Sequence, residues 1–175
     1  YYSNPLWLNP GMTGVIDGDY RASLNFKSQW QSVANSYTTA GASFELAPIK
    51  KLAIGASIMN QKAGEIGFNY LNALFSGAYR VQLGRQGLQI LNFGLQAGIL
   101  NRSFDLSKAT FGDQFDPTWG YTGAMPATEN MAATSSTVLD VNAGFMFFDG
   151  NPNTNVNTFG GFSVAHLNNP VDKLA

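Results

Sequence analysis

Between residues 20 and 30 the even positions hold Tyr20, Ala22, Leu24, Phe26, Ser28 and Trp30, and the odd positions Arg21, Ser23, Asn25, Lys27 and Gln29. One parity is nearly all apolar and the other wholly polar. A side-chain period of two puts the sets on opposite faces of a strand, whereas a helix would scatter them around its circumference. The alternation recurs. Ala40, Ala42, Phe44 and Leu46 oppose Thr39, Gly41, Ser43 and Glu45, and Leu52, Ile54, Ala56 and Ile58 alternate with small residues and Met59. Leu71, Ala73, Phe75, Tyr79 and Val81 oppose Asn72, Ser76 and Arg80; Leu91, Phe93, Leu95, Ala97 and Ile99 oppose Asn92, Gly94, Gln96 and Gly98. Leu139, Val141, Ala143, Phe145 and Phe147 oppose Asp140, Asn142 and Gly144. A seventh segment, residues 156–167, sets Phe162 and Val164 on one face, with Gly160-Gly161 weakening the pattern. The pattern predicts about seven strands of roughly 9–14 residues; soluble strands average about 5–6, and a bilayer-crossing strand needs about 9–11.

The connections are uneven. Residues 47–51 and 84–86 are tight and basic, and residues 31–35 and 61–67 short and polar. Residues 102–136 show no alternation, and a loop that long is usually functional or disordered; Phe104, Phe111, Phe115, Trp119 and Tyr121 within it argue against disorder. If residues 20–30 run outward from the periplasm, the tight turns face the periplasm and the long loop faces outside, the phase expected of an outer-membrane barrel.

Alternation alone does not say what the apolar face meets. In a soluble sandwich it meets another sheet; in a membrane barrel it meets lipid, while the polar face lines the lumen. Composition shifts the balance toward lipid. Charged residues are 12% of the chain, about half the usual share, and the polar faces are filled instead with Asn, Gln, Ser and Gly. Tyr20 and Trp30 stand at the two ends of one apolar face, as an aromatic girdle requires.

The same composition excludes other classes. Aromatic residues are 13% and the net charge is −1, which opposes disorder and a nucleic-acid partner. Cysteine is absent and there is 1 histidine, so no disulfide framework, thiolate site or His-rich metal centre is expected. No apolar run approaches the length of a membrane helix. The chain opens on Tyr1-Tyr2-Ser3-Asn4-Pro5, without a signal peptide, so one was either never present or has been removed.

Seven strands do not close a bacterial barrel, whose strand number is even, and a bare edge in lipid strands backbone groups. The expected fold is therefore all-β: a transmembrane antiparallel β-barrel of which residues 1–175 form an N-terminal part, or one unit of several chains. Residues 1–17 would be an N-terminal segment, periplasmic or lumenal, and residues 102–136 a long outer loop.

Several stretches resemble a known family. Tyr2-Ser3-Asn4-Pro5-Leu6-Trp7-Leu8-Asn9-Pro10-Gly11-Met12-Thr13-Gly14 is similar to the mature start of the PorP/SprF proteins of the Bacteroidota type IX secretion system, as is Arg21 through Gln29-Trp30. Leu91-Asn92-Phe93-Gly94-Leu95-Gln96-Ala97-Gly98, followed by Phe111-Gly112-Asp113-Gln114-Phe115-Asp116-Pro117, is the more specific part. Gly160-Gly161-Phe162-Ser163-Val164-Ala165-His166-Leu167-Asn168 also fits. The resemblance implies an outer-membrane barrel, longer than this chain, that serves secretion and gliding without being an enzyme. It implies as partners a secreted adhesin or its C-terminal secretion domain, other secretion components and outer-membrane lipid.

Candidate sites follow from the pattern. Arg21, Asn25, Lys27, Glu45 and Arg80 fall on polar strand faces and would line the lumen, as a hydrogen-bond and ion-pair network before a selectivity filter. Phe111, Asp113, Phe115, Asp116, Trp119 and Tyr121 mark the long loop as a self-packed plug or a partner platform. Asp105, Asp113 and Asp116 offer too few closely spaced oxygens for a calcium loop and read as turn residues. His166 has no motif that would supply a nucleophile and is expected at an interface or in a hydrogen bond. No cofactor, catalytic residue or metal site is expected. The function read from the sequence is a non-enzymatic accessory barrel that retains or presents a secreted surface protein, with a passive solute channel as the alternative.

Overall fold

The computed structural model describes residues 4–30, 36–64, 67–83, 88–105, 115–116, 118, 120–121, 134–151 and 156–171. It is dominated by one antiparallel meander. The strands are β1 (Tyr20–Gln29), β2 (Tyr37–Ile49), β3 (Leu52–Ala63), β4 (Phe68–Leu83), β5 (Gln89–Ser103), the two-residue β6 (Phe115–Asp116) and β7 (Gly120–Tyr121), β8 (Ser135–Asp149) and β9 (Phe159–Val164). The order β1-β2-β3-β4-β5-β8-β9 makes a seven-stranded sheet, and β6 pairs with β7 separately. β1 and β9 are its edges, and the sheet is not closed. Ahead of it lie a single helical turn, α1 (Pro5–Leu8), and a 3₁₀ turn, Pro10–Met12. No helix among the described residues is long and apolar enough to cross a membrane.

The strand ends depart from the pattern in two places. β2 runs through Pro48 to Ile49, and the register slips between Leu46 and Ile49. Proline cannot donate to the ladder, and a bulge is one of the places a strand tolerates it. The last strand is shorter than its alternation suggests. It stops at Val164, and His166 takes a left-handed φ of 58°. There the Asn168 side chain replaces the ladder: its Oδ1 accepts the Val141 N–H at 3.1 Å and its Nδ2 donates to the Leu139 carbonyl at 2.6 Å.

Burial is the reverse of a soluble sheet. The apolar parity is exposed: Leu24 is 86% accessible, Phe26 74% and Leu95 66%. The opposite parity is buried and polar, with Ser43, Glu45, Ser57, Asn72, Ser76, Asn92, Gln96, Asp140 and Asn142. Register partners show how the outward face is built. One row across the sheet reads Leu24, Ala42, Ile58, Ala73, Ile99, Leu139; the next reads Ala22, Phe44, Ala56, Phe75, Ala97, Val141. Large and small residues alternate along the second row and, as far as Ile99, along the first.

The apolar rows end in distinct chemistry. Toward one end lies a row of Leu52, Tyr79, Phe93, Phe145 and Phe162, with the Phe93 and Phe145 rings 6.4 Å apart. Toward the other, the row Ser28, Thr38, Lys62, Asn69, Ser103, Ser135 is wholly polar. On β4 the outward apolar stretch runs from Leu71 to Val81, about 34 Å along a strand at about 3.4 Å per residue. Tilted at about 35–45°, that spans about 24–28 Å of membrane normal, against an apolar band of about 25 Å in membrane barrels. An apolar band of that height with an aromatic row at one margin matches a lipid-facing surface.

Candidate functional site

Residues 4–15 lie against the polar face of the sheet. Pro5 and Pro10 each open a helical turn, where a fixed φ and a missing N–H are no handicap. Asn9 caps the second turn, its Oδ1 accepting the Gly11 N–H at 2.7 Å. Its Nδ2 donates to the carbonyls of Phe145 at 3.1 Å and Phe162 at 3.4 Å, tying the segment to β8 and β9. Leu6 is fully buried.

The wall answers with side chains aimed at the segment's backbone. Gln96 Nε2 donates to the Leu6 carbonyl at 3.3 Å, and Ser163 Oγ to that of Leu8 at 3.2 Å. Asn92 Nδ2 donates to the carbonyls of Gly11 at 2.7 Å and Thr13 at 3.0 Å. Arg80 donates to the Gly14 carbonyl at 2.6 Å. Glu45, with no solvent exposure, accepts the Gly14 N–H at 2.9 Å and the Arg21 Nε–H at 2.9 Å. Arg21 also donates to the Val15 carbonyl at 3.3 Å. These bonds satisfy backbone groups that a non-strand segment against a sheet would otherwise bury unpaired.

Two glycines make the approach possible. A Cβ built on Gly94 would overlap the Pro10 carbonyl, and one on Gly144 would overlap Asn9 Oδ1. Inner-face glycine here is clearance for the segment, for its backbone at Gly94 and for the Asn9 amide at Gly144.

Of the residues singled out for the polar face, the structure brings Arg21, Glu45 and Arg80 together around Gly14. Asn25 and Lys27 line a concavity of about 550 Å³ with Trp7, Tyr70, Gln96 and Asp140. Phe111, Asp113 and Trp119 lie outside the described residues. Phe115 is exposed; Asp116 and Tyr121 contribute backbone to the β6–β7 pair. Asn9, Asn92 and Gln96 were not singled out, although Asn92 and Gln96 share the parity of Arg80. His166 Nδ1 sits 2.7 Å from Oδ1 of the buried Asp140, and the backbone N–H of His166 donates to Asn142 Oδ1 at 2.9 Å. Asn142 Nδ2 in turn reaches Gln96 and Asp140, each at 3.3 Å. No cluster of His, Asp and Glu among the described residues is arranged to hold a metal ion.

The wall thus holds residues 4–15 of its own chain, on a sheet whose other face suits lipid. Comparison with curated proteins and with solved structures finds no significant match. A family model described as "Type IX secretion system membrane protein PorP/SprF" matches residues 1–174, and the chain belongs to that family.

Proposed function

We propose that the chain forms the first part of an outer-membrane barrel that binds a secreted cell-surface protein and retains or presents it during type IX secretion and gliding. It acts by contact, without catalysis. In this reading residues 1–175 belong to one barrel, whose remaining wall pairs with the β1 and β9 edges; bare edges in lipid would leave backbone groups unsatisfied at several kcal/mol each. The long loop, residues 102–136, with Phe111, Asp113, Phe115, Asp116, Trp119 and Tyr121, is a contact surface at the outer mouth. Other secretion components and outer-membrane lipid complete the surroundings.

One observation carries this reading over the solute channel. The polar face that would line a pore is occupied by residues 4–15, held by Glu45, Arg80, Asn92 and Gln96. Residues 4–15 stand in the path a passive solute would take, and the wall that holds them is built to bond polypeptide backbone.

The test is a mild-detergent pull-down of the full-length protein from native membranes, with mass spectrometry of what accompanies it. Enrichment of a large surface protein or a secretion component is the expected result. Recovery of the barrel alone, with steady conductance in planar bilayers, would refute the proposal in favour of a channel.

A further inference from the structure

We infer that the inner wall of the sheet is a peptide-binding groove, that residues 4–15 are its resident occupant, and that an extended segment of the secreted polypeptide takes their place. The identity of the incoming segment rests on the function proposed above; the groove itself does not.

The contacts have the character of peptide recognition. Wall side chains address the carbonyls of Leu6, Leu8, Gly11, Thr13, Gly14 and Val15. They read backbone, which any polypeptide supplies, as strand-addition sites do in other proteins. Selectivity comes from few features: the buried Leu6, the Asn9 cap and a Pro-Gly turn laid on Gly94.

The resident leaves bonding capacity unused. Ser43 Oγ, Ser57 Oγ, Ser76 Oγ and Asn72 Oδ1 on the wall are buried without a partner among the described residues, as are both Asn4 side-chain atoms and Thr13 Oγ1 on the segment. A buried polar group without a partner is costly, so a polypeptide that reaches those serines and Asn72 gains bonds that the resident does not make. The resident is also poised to leave. Its helix is one turn long, too short to hold its shape without the wall. It joins β1 through exposed bends at Asp17, Gly18 and Asp19, with Gly18 at a φ of 120°.

The test starts from the full-length protein, folded with the segment in place and carrying a site-specific protease sequence inserted at residues 17–19. After cleavage, a fluorescent synthetic peptide spanning residues 4–15 is added. Saturable uptake of the label with release of the cleaved segment is expected. Peptides carrying Leu6→Ala or Asn9→Ala should bind at least tenfold more weakly, as should the wild-type peptide to an Asn92→Ala, Gln96→Ala wall. Gel mobility of the unheated barrel confirms that each protein is folded. A segment that stays bound through washing and admits no label would overturn the groove and make residues 4–15 a permanent part of the wall.

A second arm addresses the occupant. Because the chain contains no cysteine, Leu8→Cys with Ser163→Cys gives one tether, at a position where Ser163 Oγ already bonds the Leu8 carbonyl. The oxidised tether should abolish capture of the secreted protein, and reduction should restore it. Capture unaffected by the tether, alongside peptide exchange, would overturn the secreted polypeptide as occupant. Absence of capture in every variant, alongside exchange, would refute the proposed function and leave the groove standing.

Discussion

The interaction between Arg21 and Glu45 makes an asymmetric prediction. Glu45 has no solvent exposure, whereas the Arg21 side chain keeps 30% of its surface accessible. Removing one member of a buried pair costs about 3–5 kcal/mol, chiefly because the survivor is left charged and unpaired. In Glu45→Ala the survivor is Arg21, which still reaches water, so that part shrinks; losing the acceptor for the Gly14 N–H adds about 1–3 kcal/mol. The expected total is about 2–4 kcal/mol. In Arg21→Ala the survivor is Glu45, whose remaining bond is to the Gly14 N–H, and the full penalty of about 3–5 kcal/mol applies. Glu45→Gln keeps the volume and one acceptor oxygen and should cost about 1–2 kcal/mol. The double variant should cost clearly less than the two single effects added together. Urea unfolding of the lipid-reconstituted protein, followed by tryptophan fluorescence, measures all four. Maleimide labelling of a Thr13→Cys reporter, at a position with no exposure, shows whether the segment has left the wall. If Glu45→Ala were more harmful than Arg21→Ala, or both cost under about 0.5 kcal/mol with the reporter still protected, the inner wall would not be organised around this pair.

Three further outcomes are expected. Leu95→Lys, in the middle of the outward apolar stretch of β5, should destabilise by about 2–4 kcal/mol in lipid; a change within about 0.5 kcal/mol, as at a watery surface, would count against the lipid-facing assignment. Gly94→Val should expose the Thr13→Cys reporter and cost about 1–3 kcal/mol, since a Cβ there meets the Pro10 backbone; unchanged protection would contradict the close approach. Asn168→Ala should speed hydrogen exchange at the Val141 amide several-fold, because its acceptor is the Asn168 side chain; exchange at the wild-type rate would show that β8 has another partner there.

The strands were legible because their signal is local. Within β1 the alternate residues from Tyr20 to Phe26 declare their face, and the strand pairs with its neighbour in sequence, β2. The same parity placed Arg21, Glu45 and Arg80 on the polar face. The aromatic row was harder to see. Tyr79, Phe93, Phe145 and Phe162 are scattered in sequence and become neighbours only once four strands are paired. The end of β9 was misjudged because alternation continues past Val164 while the backbone does not; His166 turns left-handed and Asn168 takes over the ladder.

The seat of the N-terminal segment was the least legible feature, for a physical reason. A strand face is encoded at period two, but a seat for backbone is encoded as missing side chains and amide groups on strands far apart in sequence. Gly94 reads locally as a weak point in β5, and Asn9-Pro10 reads as a turn. Each makes sense only with the other: the glycine leaves room for the Pro10 carbonyl, and Asn92, two residues before it, holds the carbonyls on either side of Met12. This also bears on the composition. Amides and small residues take the place of charge on this wall because a surface that holds polypeptide backbone needs donors, acceptors and clearance; Arg80 serves it directly through the Gly14 carbonyl, and a buried carboxylate serves it where a counter-charge is built in. Glu45 and Arg21 are such a pair, and they stand where the segment turns toward β1.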